Sequence, residues 1–244
     1  MEEEIQNEHN LTKRERRDKR KEEDKENKEK AEKSKKIKNI VIWGVVGVLV
    51  VVGFWWLKNN IETSPKVENP QEIRVDDVVK GNPEAVAVLV EYADFQCGGC
   101  KQYSSVVSGA YEKMSGGLQV VYRHYPLESI HPNAFDASRA SEAARKQDKF
   151  WEMHDLLYSR QSSWASSSKA KEKFVEYAEE LGLDRDKFLQ DFSSDEVENK
   201  IKTDIASGNA MNVQGTPTFF LNGERFEPNT LNVELFTSAI ESSL

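Results

Sequence analysis

Cys97 and Cys100 are the only cysteines among the 244 residues of the chain, and two glycines separate them in the stretch EYADFQCGGCKQY. Small disulfide-stabilised domains use four or more cysteines, because each bridge has to close a loop of useful length. Three uses of the pair therefore remain: half of a zinc site, a redox-active dithiol, or two unrelated buried thiols.

A zinc site finds too few ligands in this sequence. Structural zinc takes four Cys or His ligands, but there is no second CxxC, and the histidines show no paired spacing: His9, His124, His131 and His154. Attachment of a c-type haem would need a histidine where the chain has Lys101. We therefore expect neither a metal nor a prosthetic group, and the redox-active dithiol is favoured.

The residues after the dithiol have helical spacing. Apolar side chains recur every three or four positions from Tyr103 to Met114, and Gly116 and Gly117 end the pattern. The dithiol then lies at a helix N-terminus, where unpaired backbone N–H groups and the helix dipole favour a thiolate on Cys97. Cys100, one turn further on, should be more buried and more protonated, and it would resolve a mixed disulfide.

Strands and helices alternate around this helix. The apolar run EAVAVLVEYAD (84–94) predicts a buried strand, and LQVVYRHYP (118–126) predicts a second one. Residues 131–209 have the spacing of three or four helices, with the serine-rich stretch SRQSSWASSSK taken as a loop. Asn222-Gly223 predicts a hairpin between two further strands, and an amphipathic helix closes the chain.

The first 39 residues are highly charged and lack the apolar side chains of a core. They contain 14 Lys or Arg and 12 Asp or Glu residues, a composition that predicts a disordered tail, with a solvated helix held by Glu/Lys pairs as the alternative. The net charge of +2 is too small for strong binding to phosphates, so a nucleic-acid partner is not expected.

Residues 40–58 predict a transmembrane helix. Ile40 to Leu57 are 18 consecutive apolar or Gly residues, about 27 Å of helix and close to the thickness of a bilayer core. A cleaved signal peptide is the alternative, but its apolar stretch would be shorter and a cleavage site would follow. We favour an uncleaved anchor, followed by a polar linker at 59–70.

The distribution of cations gives the orientation of this helix. Four lysines precede it closely and Lys58 alone follows it, so the positive-inside rule places the N-terminus in the cytoplasm and the remainder of the chain outside. That remainder has 19 basic and 30 acidic residues, which argues against binding to anionic lipid or nucleic acid. Disulfides persist in such an extracytoplasmic setting.

A family resemblance rests on four segments: the strand before DFQCGGCKQY, the phrase YRHYPL, the helical stretch HPNAFDASRASEAARKQDKFWEMHDLLY, and GTPTFFLNG. In these segments the chain resembles the DsbA-like thiol:disulfide oxidoreductases, which are membrane-anchored extracytoplasmic proteins with a thioredoxin fold. The resemblance covers about 72–244. It implies an α/β domain at 71–244, a thioredoxin fold with a helical insertion at about 131–209, preceded by a single transmembrane helix.

The resemblance also implies site residues. Thr216–Pro217 would be a cis peptide bond lying against the dithiol, and its backbone would pair with an extended substrate segment. Glu91 matches a buried acid beneath the dithiol that exchanges a proton with Cys100, although a solvated glutamate is the alternative. Cys97 and Cys100 would be the catalytic pair.

The activity implied is disulfide formation in exported proteins that carry free cysteines, with reoxidation by a quinone-linked membrane partner. A reductase or isomerase with the same fold is the main alternative, because DsbA-like oxidants commonly carry a histidine between the cysteines and this pair encloses two glycines. A non-enzymatic, membrane-tethered binding protein is a further alternative. No cofactor is implied.

Overall fold

The structure, a computed structural model, describes residues 13–60, 69 and 71–244. The chain divides into two compact units, residues 1–63 and residues 64–244. Most of the predicted linker at 59–70, namely 61–68 and 70, lies outside the described residues.

In the first unit, one helix, α1, extends over Lys13–Asn60. The charged segment for which disorder was predicted is therefore helical from Lys13 onward, in agreement with the alternative of a solvated helix; residues 1–12 lie outside the described residues. Pairs of opposite charge one turn apart support such a helix, as between Lys30 and Glu26, whose Nζ and Oε1 atoms are 2.7 Å apart.

Where side chains are described, no helix is both long enough and apolar enough to cross a membrane. The transmembrane helix at 40–58 stays a prediction.

The second unit is built on a sheet of five strands in the order β1-β3-β2-β4-β5. Strands β2 and β3 are parallel, and the other neighbours are antiparallel. The strands are β1 (Val78–Lys80), β2 (Ala87–Ala93), β3 (Leu118–His124), β4 (Thr218–Leu221) and β5 (Glu224–Phe226). The two central strands are the apolar runs that the sequence predicted, which confirms both predictions.

Eight helices accompany the sheet in the part of the second unit that the structure describes. Helix α2 follows β2 and starts at the dithiol, five helices form the insertion after β3, α8 returns to the sheet, and α9 ends the chain. Their bounds are α2 (Gly98–Lys113), α3 (Ala134–Arg145), α4 (Phe150–Ser159), α5 (Gln161–Trp164), α6 (Ala170–Glu180), α7 (Arg185–Phe192), α8 (Asp195–Ala210) and α9 (Val233–Ser242).

The two faces of the sheet bury different clusters. Side chains alternate along a strand, so Leu89 of β2 packs with residues of α2 and α9, whereas Val90 packs on the opposite face with Phe220. The insertion packs with Phe95, in the turn between β2 and α2. Glu91 has the same orientation as Leu89 and therefore lies beneath the helix that begins at the dithiol.

Three features differ from the expectation. The segment at 131–209, expected to form three or four helices, forms six, α3 to α8, because α5 and α7 are too short to show a periodic pattern. Strand β1 was not predicted, because three residues at a sheet edge carry almost no periodic signal and are fixed by pairing with β3. The serine-rich stretch is not a loop throughout, since Ser159 ends α4 and Gln161–Trp164 form α5. Its helical part is anchored by Trp164, whose side chain is fully buried among the insertion helices.

Candidate active site

Cys97 occupies the N-cap position of α2 with extended backbone angles, and no side chain caps this helix end. The backbone N–H groups of the first turn are consequently left to face the cysteine sulfur. Cys97 is partly exposed, Cys100 is buried, and both are free thiols. Another protein can therefore reach the Cys97 thiol directly, whereas the buried Cys100 thiol can exchange with it only by way of Cys97.

The pKa of Cys97 falls from 9.0 to about 5, chiefly because the Cys100 side chain donates a hydrogen bond to it. Partial burial opposes this change, while the backbone N–H groups of Cys100 and Gly99 add to it. The thiol form can donate to the Thr216 carbonyl at 3.3 Å, a contact that favours protonation. The donors outweigh that carbonyl, so Cys97 is a thiolate at neutral pH.

The pKa of Cys100 moves the opposite way. Burial raises it first, followed by the hydrogen bond to Cys97 and the negative charges of Cys97 and Glu91. The backbone N–H of Asp94 reaches the Cys100 sulfur at 3.5 Å and partly offsets these effects. Two thiols one helical turn apart thus differ strongly in acidity, as expected of an attacking thiolate and a resolving thiol.

Thr216 and Pro217 lie against the dithiol, although more than a hundred residues separate the two segments. The Thr216–Pro217 peptide bond is cis, as the family resemblance implied. A methyl group added at Gly99 would lie 3.3 Å from Pro217 Cδ and 3.6 Å from Cys97 Sγ. The proline ring therefore packs on the backbone between the cysteines, and the Thr216 carbonyl adjoins the Cys97 sulfur.

Glu91 is buried beneath α2, which excludes the alternative of a solvated glutamate. Burial, and secondly the charge of Cys97, raise its pKa from 4.5 to about 8, and Oε1 has no hydrogen-bond partner. Its charge in turn raises the pKa of Cys100. A small cavity adjoins Glu91 and is lined by Lys80, Ser104, Val107, Ser108, Tyr111, Val120, Trp151, His154 and Asp155.

Asp94 organises the loop before the dithiol. Its carboxylate accepts hydrogen bonds from the backbone N–H groups of Gln96 and Leu127 at 2.7 and 2.9 Å. Asp94 Oδ2 also lies 2.7 Å from His131 Nδ1. These contacts hold the loop that approaches the dithiol. His124 is buried, and its Nε2 lies 3.0 Å from Glu142 Oε1.

Two amides of the insertion were missed by sequence reasoning. The side-chain amide of Gln161 donates to the Cys97 carbonyl, 64 positions away in the sequence. The backbone N–H of Asn133 donates to Gln96 Oε1, 37 positions away. No local pattern marks them, because the contacts exist only once the insertion has folded. Among the described residues, no three His, Cys, Asp or Glu side chains come together to hold a metal ion.

Comparison with known families matches residues 74–242 to the thioredoxin model. The chain belongs to the thioredoxin family. Among solved structures, a thioredoxin-like oxidoreductase from Silicibacter pomeroyi is similar, with 25% identity, a TM-score of 0.61, and coverage of 73% of this chain and 98% of that one. These findings confirm the predicted thioredoxin fold.

Two further neighbours share the fold at lower identity. The thiol-disulfide exchange protein alpha-DsbA2 from Wolbachia pipientis has 18% identity and a TM-score of 0.62, over 72% of this chain and 91% of its own. Oxidised BdbD from Bacillus subtilis has 20% identity and a TM-score of 0.57, over 67% and 90%. Both likenesses support the thioredoxin fold.

Curated relatives include much longer proteins. The chain is 39% identical over 151 residues to the Na(+)/H(+) antiporter NhaA 1 of Mycolicibacterium gilvum, and 37% identical over 167 residues to NhaA 3 of Salinispora tropica. These matches cover 61% and 68% of this chain but 24% of each relative, so the chain spans about a quarter of their length.

Proposed function

We propose that this protein is a membrane-anchored, extracytoplasmic thiol:disulfide oxidoreductase that introduces disulfides into exported proteins. The observation that supports it best is the asymmetry of the dithiol: Cys97 is partly exposed, has a pKa of about 5 and adjoins Thr216, whereas Cys100 is buried with a raised pKa. A low thiol pKa makes Cys97 both a good nucleophile and a good leaving group at neutral pH.

The reaction starts from the Cys97–Cys100 disulfide. A substrate thiolate attacks Cys97 Sγ, the bond between the cysteines breaks, and Cys100 leaves as a thiolate that takes a proton from the carboxyl group of Glu91. A second substrate thiolate then attacks the substrate sulfur of the mixed disulfide and releases the Cys97 thiolate. The substrate loses two electrons and the dithiol gains them.

Substrate binding is assigned to the backbone of Thr216 and Pro217. The Thr216 carbonyl adjoins the Cys97 sulfur, at the point where an extended segment pairing with this backbone would deliver its cysteine. A groove beside Pro217 extends along Tyr103 and the segment after β5, where the Tyr103 hydroxyl donates to the Pro228 carbonyl at 2.6 Å. Such a groove offers room for the residues that flank the substrate cysteine.

The proposed location is inferred from the sequence, and the proposed partners are inferred from the family resemblance. The apolar segment at 40–58 would anchor the chain with its N-terminus in the cytoplasm, and a quinone-linked membrane protein would reoxidise the dithiol. Exported proteins with free cysteines would be the substrates.

Oxidation of a reduced, unfolded substrate by the full chain tests this proposal. The oxidised wild-type chain should restore activity to reduced ribonuclease in proportion to the amount of dithiol, and Cys97→Ala should abolish it. The Cys97→Ala result decides the mechanism, because activity that survives this substitution contradicts it. A redox potential at or below the value of about −270 mV for thioredoxin would instead favour a reductase, whereas a value above it, towards about −120 mV for DsbA, would support an oxidase.

A further inference from the structure

The helical insertion holds the backbone that carries Cys97. Gln161 lies in α5 and is 9% exposed, and its Nε2 donates to the carbonyl of Phe95 at 2.8 Å and to that of Cys97 at 3.0 Å. A single side chain of the insertion thus ties together the Phe95–Gln96 and Cys97–Gly98 peptide units. Hydrogen bonds that are buried in this way fix the orientation of the groups they join.

A second amide contact supports the first. Gln96 Nε2 donates to the carbonyl of Ala165 at 2.8 Å, and Gln96 Oε1 accepts from the backbone N–H of Asn133 at 2.8 Å. The Asn133 side chain donates to the same Ala165 carbonyl at 3.0 Å. The approach to the dithiol is therefore bound from the insertion at three consecutive residues, Phe95, Gln96 and Cys97.

The orientation of these peptide units controls the electrostatics at the sulfur. A thiolate at Cys97 is favoured when N–H groups of α2 face it, and it is disfavoured when a carbonyl oxygen turns towards it. Gln161 binds the carbonyls of Phe95 and Cys97, and the Cys97 carbonyl also accepts the first helical bond from Lys101 N–H at 3.2 Å. Without the amide, the Phe95 carbonyl would lose this bond, and the Cys97 carbonyl would be held by Lys101 N–H alone.

We propose that Gln161 is a positioning residue: it holds the carbonyls of Phe95 and Cys97 on the insertion, so that the N–H groups at the start of α2 face the Cys97 sulfur. The insertion then has a part in thiol chemistry as well as in packing. The inference deepens the proposed function, since it rests on Cys97 as the nucleophile.

Replacement of Gln161 by Met tests the inference, because Met has a similar size but cannot donate to the two carbonyls. The matched control is Gln147→Met, since Gln147 lies in the same insertion, is partly exposed, and donates to the Asp184 carbonyl at 3.2 Å, remote from the dithiol in sequence. The rate at which iodoacetamide alkylates Cys97 is measured on the reduced full chain from pH 4 to pH 9, with mass spectrometry to locate the label.

The expected result is a rise of about one in the apparent pKa of Cys97 in Gln161→Met. Starting from about 5, such a rise makes alkylation at pH 5.5 about threefold slower and leaves the rate at pH 9 unchanged. Gln147→Met should behave as wild type. A purely structural role for Gln161 would lower the urea midpoint while the pH profile stayed that of the wild type, and that outcome overturns the inference.

Gln161→Leu serves as the second variant if Gln161→Met fails to fold. Leucine is likewise unable to donate to the two carbonyls, so the pKa of Cys97 should again rise. An unchanged profile in that variant overturns the inference as well. Alkylation needs no substrate, so a wild-type chain with a normal profile but no disulfide exchange contradicts the proposed function alone.

Discussion

The Glu91→Gln variant should change how stability depends on pH. Glu91 is buried, and its pKa rises from 4.5 to about 8 because burial disfavours the carboxylate and the Cys97 charge adds to that effect. The folded chain therefore holds this proton more tightly than the unfolded chain. As the pH rises from 4.5 to about 8, the free energy of unfolding of the wild type should fall, whereas glutamine does not titrate.

The size of the effect follows from the change in pKa. The rise from 4.5 to about 8 corresponds to about 5 kcal/mol at 1.36 kcal/mol for each pKa unit. This is a ceiling, because water that enters the adjoining cavity would stabilise the carboxylate. We expect the stability of Glu91→Gln relative to wild type to increase by about 2 to 4 kcal/mol between pH 5 and pH 9.

Urea denaturation of the reduced full chain, followed by tryptophan fluorescence at constant detergent, measures this difference. Glu142→Gln is the control with the opposite sign. Burial alone would raise the pKa of Glu142, but the hydrogen bond to His124 and nearby cations lower it to about 2. The stability that Glu142 provides is complete above pH 4.5 and is lost only as the pH falls through about 2.

The curve of Glu142→Gln should therefore run parallel to that of the wild type from pH 5 to pH 9, at lower stability. The curve of Glu91→Gln should diverge from the wild-type curve over the same range. If both variants ran parallel to wild type, Glu91 would be ionised normally in the folded chain, and the reasoning about a buried, protonated carboxyl group would be refuted.

Two further predictions concern the dithiol itself. Cys100→Ala removes the donor that chiefly lowers the pKa of Cys97, so the pKa of Cys97 should rise by about one in an alkylation titration. Cys100→Ser keeps a donor, and its Cys97 pKa should stay closer to that of the wild type. Identical Cys97 titrations in the two variants would contradict the assignment of Cys100 as the donor. Gly99→Ala places a methyl group 3.3 Å from Pro217 Cδ, whereas Gly98→Ala meets nothing within 4 Å. Gly99→Ala alone should lower the unfolding free energy, by about 1 kcal/mol, and slow substrate oxidation; equal effects at both positions would contradict packing of the proline on the backbone.

Local patterns in the sequence predicted the elements that carry the dithiol. The uninterrupted apolar run before Cys97 became β2, and the helical spacing after it became α2. Asn222 and Gly223 both have positive φ, as the predicted hairpin requires, and they join β4 to β5. These signals were readable because each depends on neighbours within a few residues.

Contacts between distant segments could not be read in this way. Nothing near Gln161 indicates that its amide reaches the carbonyl of Cys97, because that contact needs α5 to fold against the turn after β2. The sequence likewise left open whether Glu91 is buried or solvated, because its burial depends on the packing of α2 over β2. For Thr216 and Pro217, only the resemblance to a known family pointed to the dithiol, since a separation of 119 positions between Cys97 and Thr216 leaves their distance open.

The low pKa of Cys97 bears on the direction of exchange, which the two glycines had left open. The pKa of this thiol is lowered by hydrogen-bond donors, chiefly the Cys100 side chain and the backbone N–H groups of Cys100 and Gly99. The pKa of Cys97 is about 5, whereas the attacking cysteine of thioredoxin has a pKa of about 7. This difference stabilises the reduced dithiol, relative to that of thioredoxin, by up to about 2.7 kcal/mol at neutral pH. The stabilisation is smaller because solvent screens the partly exposed thiolate.

That energy corresponds to a potential up to about 60 mV above the value of about −270 mV for thioredoxin, which remains below the value of about −120 mV for DsbA. A dithiol in this intermediate range can give or accept electrons, according to the partner that keeps it oxidised or reduced. Because the two glycines carry no side chain that could act as a histidine does, the Cys97 thiolate lacks that extra stabilisation. The direction of net exchange therefore depends on the reoxidant. Potentiometry in glutathione buffers should therefore find a value between the two references, and a value at or below that of thioredoxin would show that the donors at Cys97 do not stabilise its thiolate.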